Sequence, residues 1–175
     1  MKTIFLDRDG IINEDLGYVC QKEKFIFTDG IFSITKKFLA NGFEIIIITN
    51  QSGIGRGYYT ESEFIDLNEW MLNKFNDCGV RIKDVFYCPH KPDDNCGCRK
   101  PSPGMFLNAV DLYNVDLSLS WMIGDKFTDI EAAAAAGIPN TIYVSDVPYP
   151  CDSVKPSHIV SKVIDCENLV NKYAN

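Results

Sequence analysis

The sequence predicts an α/β fold, a single doubly wound, Rossmann-like parallel sheet with helices on both faces. Three observations carry that expectation. Short apolar runs of strand length recur along the chain, and segments with apolar residues every three or four positions separate them. The run Phe43 to Ile48 is nearly continuous in β-branched residues, as suits a parallel strand buried on both faces. At 175 residues and 46% hydrophobic content the chain can bury one good core and not two, so residues 1–175 are read as one domain.

Taken in order, Thr3 to Leu6 is the first strand, and it stops at Asp7-Arg8-Asp9-Gly10, delivering two acids to a sheet edge. Ile11 to Thr28 is polar, aromatic and irregular and reads as a loop overhanging that edge. Ile31, Ile34, Phe38 and Leu39 repeat at helical spacing across Gly30 to Ala40, with Gly42 as the stop. Phe43 to Ile48 is the second strand. Thr60-Glu61-Ser62-Glu63 is a capping box, opening a helix whose buried stripe is Phe64, Leu67, Met71 and Phe75 and which ends before Gly79. Val85 to Tyr87 is a third strand. Ser102 as N-cap with Pro103 in the first turn opens a helix expected to bury Phe106, Val110 and Tyr113. Trp121 to Ile123 is the fourth strand and ends at Gly124-Asp125; Asp129 to Ala136 is an alanine-rich helix closed by Gly137. Thr141 to Val144 is the fifth strand, Asp146 to Pro156 a proline-containing loop, and the tail from His158 a short strand followed by a terminal helix.

Charge narrows the class of partner. A net charge of −7 and a pI near 4.8 exclude a nucleic-acid or anionic-membrane surface, since both need a basic face, and any anionic substrate must meet a local basic cluster. No signal peptide is recognisable and no apolar run approaches membrane-spanning length, so the chain is expected in the cytoplasm. In that reducing compartment seven cysteines are free thiols, metal ligands or catalytic groups rather than a disulfide framework.

Ligands in this architecture sit outside the carboxyl ends of the strands. There Asp7 and Asp9 end the first strand, Thr49 follows the second, Lys100 follows the third and Asp125 ends the fourth. Acids brought together repel unless a positive charge intervenes, and a hard divalent cation such as Mg²⁺ prefers oxygen ligands. Phosphoryl transfer needs little beyond positioning and charge neutralisation, and these groups supply it. Asp7 would attack phosphorus, Asp9 would act as acid and then base, and Mg²⁺ would be held by Asp7, Asp125 and the backbone of Asp9. The Thr49 hydroxyl and Lys100 ammonium would hold the transferring group.

A second signal is Cys88-Pro89-His90 followed by Cys96-Gly97-Cys98. Three thiols and one imidazole within eleven residues make a complete tetrahedral zinc set with no position left for substrate, so a structural zinc is expected to stabilise this loop and fix Arg99 and Lys100 behind it. Cys20, Cys78, Cys151 and Cys166 are scattered and read as plain thiols. Two readings outside catalysis are weaker. An inactive scaffold would be expected to have lost Asp7, and a zinc-dependent binding module would need more basic residues than Lys91, Arg99 and Lys100.

Asp7-Arg8-Asp9-Gly10, Thr49-Asn50-Gln51, Arg99-Lys100-Pro101 and Gly124-Asp125 with Asp129 resemble the four motifs of the haloacid dehalogenase superfamily of phosphatases, over nearly the whole chain. Within it the chain resembles the branch of heptose bisphosphate phosphatases and histidinol-phosphatases. That resemblance implies no separate cap domain, and there is no room for one between Thr49 and Lys100. Asp15-Leu16-Gly17-Tyr18, the stretch Thr49 to Gly57 and Gly124-Asp125-Lys126 resemble the heptose members. By that resemblance Asp15, Gly17, Tyr18, Asn50, Gln51, Ser52, Arg99 and Lys126 would contact a small sugar phosphate, with Arg56 a further candidate. The expected activity is removal of the 7-phosphate of a heptose 1,7-bisphosphate by a monomeric enzyme of nucleotide-activated heptose synthesis. The five-residue interval between His90 and Cys96 matches the histidinol-phosphatase pattern instead, so hydrolysis of histidinol phosphate stands as the alternative.

Overall fold

The computed structural model describes residues 1–150 and 153–170. Among them, six strands form one all-parallel sheet: β1 (Thr3–Leu6), β2 (Glu44–Asn50), β3 (Asp84–Cys88), β4 (Trp121–Gly124), β5 (Asn140–Val144) and β6 (His158–Val160). Their order is β3-β2-β1-β4-β5-β6, so the winding reverses between β1 and β4, where a crevice opens at the carboxyl edge. The helices are α1 (Ile31–Ala40), α2 (Ser52–Gly55), α3 (Glu61–Asp77), α4 (Gly104–Tyr113), α5 (Phe127–Ala136) and α6 (Cys166–Val170).

The pleat divides the core in two. Ile4, Leu6, Ile45, Ile47, Trp121 and Ile123 point to one face and pack with Ile31, Ile34 and Phe38 of α1 and Leu67, Met71 and Phe75 of α3. Phe5, Ile46, Ile48 and Met122 point to the other, against Met105, Phe106 and Ala109 of α4 and Ala132 and Ala133 of α5. Small alanines on α5 let that helix lie close to β4 and β5. Helices therefore cover both faces, which is why the central strands read as unbroken apolar runs.

The capping box at Thr60 forms as predicted, with the Glu63 N–H donating to Thr60 Oγ1 and the Thr60 N–H donating to Glu63 Oε2. Elsewhere the structure corrects the sequence reading. The fourth helix begins at Gly104 with Pro103 at the cap position and no side-chain cap, so Ser102 is not the N-cap. The Gly104 N–H donates instead to the Gly97 carbonyl at 3.1 Å, tying this turn to the cysteine loop. Val110 and Tyr113 are half-buried rather than buried, because the stripe that faces the sheet is Met105, Phe106 and Ala109. α5 starts two residues earlier than Asp129, since Asp129 reaches back to accept from the Lys126 N–H at 3.0 Å.

The segment 11–28 is less an overhang than a folded flap. Ile11, Ile12, Val19 and Phe25 are buried, and Arg8, with 0% exposure, donates to the Val19 carbonyl at 2.9 Å. The Arg8 guanidinium lies 5.9 and 5.7 Å from the Phe25 and Phe64 ring centroids, so the two rings partly offset the cost of burying its charge. Cys151 lies outside the described residues.

Phe106 is fully buried and meets Phe5 edge-to-face at 5.0 Å. Phe106→Ala is expected to cost about 3–5 kcal/mol through lost burial and the cavity left behind, read as a lower midpoint in urea unfolding.

Candidate active site

At the reversal between β1 and β4, the Asp7 N–H donates to the Ile123 carbonyl at 3.0 Å, which holds the first acid beside the end of β4. One carboxylate oxygen from each of Asp7, Asp125 and Asp129 lies within 4.8 Å of the other two. Two glycines make this possible. Gly10 has φ +97°, and an added Cβ would lie 2.2 Å from Asp125 Oδ2; at Gly124 a Cβ would meet Asp129 Oδ2 at 2.4 Å.

Into this cluster Lys100 brings one positive charge. Its Nζ lies 2.9 Å from Asp7 Oδ1, 2.6 Å from Asp129 Oδ1 and 2.9 Å from the Ile48 carbonyl, and the residue is 3% exposed. Its backbone is clamped by Asn50, whose Nδ2 donates to the Lys100 carbonyl while Oδ1 accepts from the Lys100 N–H. The charge of Lys126 also reaches Asp7 and Asp125, but that ammonium is paired with Asp15, so the three carboxylates are not balanced. Burial pushes the Asp7 carboxyl up to about 6 against the pull of Lys100, and burial together with the charge of Asp7 pushes Asp125 up to about 8. Burial draws Lys100 down, but Asp129 and Asp7 more than offset it and its pKa is raised. Asp125 Oδ1 is buried without a hydrogen-bond partner. A buried orphan oxygen among excess carboxylates fits a hard divalent cation.

Asp9 belongs to a different network. Arg8 Nη2 and Asn13 Nδ2 donate to its Oδ1 at 2.9 and 3.0 Å, and Gln51 Nε2 donates to its Oδ2 at 3.0 Å. Gln51 Nε2 also donates to the buried Thr49 Oγ1 at 2.8 Å. Asp7, Asp9, Thr49 and Lys100, expected to act together, line one small hollow. Asp129 completes it. The sequence marked Asp129 as part of a motif but not as a site residue; its place four positions after Asp125 at a helix start was the available signal.

Above the hollow is a cavity of about 440 Å³. Asp15, Gly17 and Tyr18 from the flap line it, as do Asn50 at the end of β2, Gln51 after it and Ser52 at the start of α2, and Arg99 and Lys126 from the two loops opposite. All eight predicted contact residues thus meet, while Arg56 is exposed and does not line the cavity. Tyr59, Phe127 and Thr128 line it too and escaped the sequence reading. Lys126 Nζ pairs with Asp15 Oδ2 at 2.9 Å across the mouth. Partial burial works against the Asp15 carboxylate, but the bond from Lys126 holds it below the usual range.

The four metal-type ligands also converge. Cys88 Sγ lies 3.5 Å from His90 Nδ1, 3.5 Å from Cys96 Sγ and 3.2 Å from Cys98 Sγ, and Cys98 Sγ lies 3.3 Å from His90 Nδ1. These spacings are near the edges of a tetrahedron whose centre is about 2.3 Å from each sulfur. Cys20, Cys78 and Cys166 stand apart as free thiols.

An acid at a strand end, facing a buried lysine and further acids at the switch point of a parallel sheet, defines a phosphatase of the haloacid dehalogenase type. Residues 97–166 match the HAD-hydrolase-like family model. The chain is 45% identical over 149 residues to a D-glycero-beta-D-manno-heptose-1,7-bisphosphate 7-phosphatase of Vibrio cholerae, covering 81% of this chain and 80% of that one. A D-glycero-alpha-D-manno counterpart from Burkholderia mallei is 44% identical, covering 83% and 80%. The crystal structure of a D,D-heptose 1,7-bisphosphate phosphatase from B. bronchiseptica, complexed with magnesium and phosphate, superposes with a TM-score of 0.86 at 28% identity, covering 98% of this chain and 99% of that one. The chain belongs to this phosphatase family within the haloacid dehalogenase-like superfamily, and is a phosphoric monoester hydrolase.

Because Asp7 and Asp125 are raised from 3.8 to about 6 and about 8, the folded chain binds more protons than the unfolded one across that interval. Stability of the magnesium-free protein is therefore expected to fall as pH rises from about 4 to about 8. Added Mg²⁺ should raise the thermal midpoint more at pH 8 than at pH 5, and an equal rise at both would count against a cation among these acids.

Proposed function

We propose that this chain is a magnesium-dependent phosphatase that removes the 7-phosphate of D-glycero-D-manno-heptose 1,7-bisphosphate, giving heptose 1-phosphate for nucleotide-activated heptose synthesis. The observation that carries the reading is the pairing of two basic groups with a polar cavity above the acid cluster: Arg99 and Lys126 face a space that Asp15, Asn50 and Ser52 also line. Arg99 and Lys126 suit a second phosphate, and the Ser52 hydroxyl and the Asp15 carboxylate suit sugar hydroxyls.

Asp7 acts as the nucleophile. As its oxygen bonds to phosphorus, the bond to the sugar oxygen breaks, and Asp9 gives that oxygen its proton. In the second step a water loses a proton to Asp9 and attacks the aspartyl-phosphate, releasing phosphate and restoring both carboxyl groups. Lys100 and Thr49 hold the equatorial oxygens, the lysine being pre-set by Asp129 and the Ile48 carbonyl. Mg²⁺, held by Asp7, Asp125 and the backbone of Asp9, would neutralise the charge that Lys100 alone does not. Asp129 holds Lys100 and the start of α5. The chain works as one domain and a monomer in the cytoplasm, and no helix among the described residues is long and apolar enough to cross a membrane.

Hydrolysis of histidinol phosphate is the second reading, motivated by the spacing from His90 to Cys96. Comparison of kcat/KM for both anomers of heptose 1,7-bisphosphate and for histidinol phosphate tests the choice, and a strong preference for histidinol phosphate overturns the heptose assignment. Asp7→Asn is expected to lower phosphate release by at least about 10³-fold while leaving the fold intact, since it removes the nucleophile and little volume.

Cys88, His90, Cys96 and Cys98 are proposed to hold a structural zinc that fixes Arg99 and Lys100. Elemental analysis should find about one zinc per chain. Cys98→Ser should lose the metal and lower both the thermal midpoint and kcat; a zinc-free preparation with full stability and activity would sink the idea.

A further inference from the structure

Among the cavity residues, Gln51 has a side chain whose nitrogen and oxygen are both turned to neighbouring protein groups. It is 2% exposed, its Nε2 donates to Asp9 Oδ2 and Thr49 Oγ1, and its Oε1 accepts from the Tyr59 hydroxyl at 2.6 Å. Both N–H donors of the amide are thus taken within the protein, and its carbonyl is turned to Tyr59. The orientation is dictated by the partners. Asp9 Oδ2 accepts here, so the amide nitrogen faces it, and the carbonyl is left for a hydroxyl that can donate.

Tyr59 is built into place. Its residue exposure is 5%, and its ring lies where a Cβ on the buried Gly53 would be, 2.1 Å from Cε1 and 2.8 Å from the hydroxyl oxygen. Any larger residue at 53 would displace the hydroxyl from Gln51. The Gln51 backbone is also held, its N–H donating to the Cys88 carbonyl at 2.8 Å. On Asp9, Arg8 and Asn13 both grip Oδ1, so Oδ2 takes its direction from Gln51.

We propose that Tyr59 and Gln51 are positioning residues: the Tyr59 hydroxyl fixes the Gln51 amide, which aims Asp9 Oδ2 at the leaving-group oxygen, so that Gln51 serves proton transfer rather than substrate recognition. This rests on the reading of Asp9 as the proton donor. With one donor already on it, Oδ2 keeps a lone pair to carry the proton; that proton passes to the sugar oxygen as the oxygen–phosphorus bond breaks and the Asp7–phosphorus bond forms.

The test compares two leaving groups. A sugar alkoxide must be protonated as it departs, whereas p-nitrophenolate leaves without help, and kcat/KM reports only the steps through release of the alcohol. Tyr59→Phe keeps the ring over Gly53 and should lower kcat/KM about tenfold for a primary sugar phosphate that the wild type hydrolyses, and less than about twofold for p-nitrophenyl phosphate. Gln51→Met, which also frees the Thr49 hydroxyl, should lose something on both phosphates but more on the sugar phosphate, and the double variant should be no slower than Gln51→Met alone. Equal losses on both phosphates, or single losses that multiply in the double variant, would overturn the inference; if Gln51→Met does not fold, Tyr59→Phe decides alone. Asp9→Asn separates the two levels. If it loses equally on both phosphates, the assignment of Asp9 fails and carries the inference with it; if it discriminates and Tyr59→Phe does not, the inference alone fails.

Discussion

Excess negative charge in a buried place governs this molecule. Asp7, Asp125 and Asp129 converge beside Lys100, which pairs with the first and the last of them, at the point where the sheet reverses its winding, and carboxylates in such surroundings repel one another and lose hydration. The fold supports an arrangement that is unfavourable in isolation. Three strands and the start of α5 deliver the groups, two glycines leave room for them, and Lys100 is held on both its backbone and its side chain. Such a site favours a divalent cation, whose charge relieves the imbalance and allows an anionic phosphoryl group to approach the acids.

The cysteine cluster and the acid cluster are mechanically one unit. Cys98 precedes Arg99 and Lys100 directly, Gly97 accepts from the first turn of α4, and Cys88 accepts from Gln51. A metal at the cysteines would therefore hold the lysine, the end of β2 and the entry to α4 together without touching substrate. On the far side the flap is anchored by Arg8, which reaches from the turn after β1 to Val19 and so ties the residues that roof the cavity to the strand that carries Asp7.

Much of this could be read from the chain. The strands were visible because a sheet covered on both faces demands apolar runs, and the helix at Thr60 because its capping residues act within four positions. The acids, Thr49 and Lys100 could be assigned to one edge because parallel topology leaves strand ends together. The misses have a common character. Ser102 looked like a cap, yet the Gly104 N–H found its acceptor at Gly97; Val110 and Tyr113 matched the helical period, yet the sheet faces Met105 and Ala109. α2 is a single turn with no apolar period to announce it.

The sequence by itself determined the winding of the fold, the chemical class of the site and the identity of most groups that meet there, since these follow from local periodicity and from which residue types end each strand. Only the tertiary structure decided how those groups divide their work: that Asp129 shares Lys100, that Arg8 is buried beneath the flap, that Asn50 and Gln51 spend their amides on Lys100 and Asp9. The reason is that a hydrogen bond is chosen among neighbours brought from distant parts of the chain, and the sequence names the candidates without stating which of them arrive within reach.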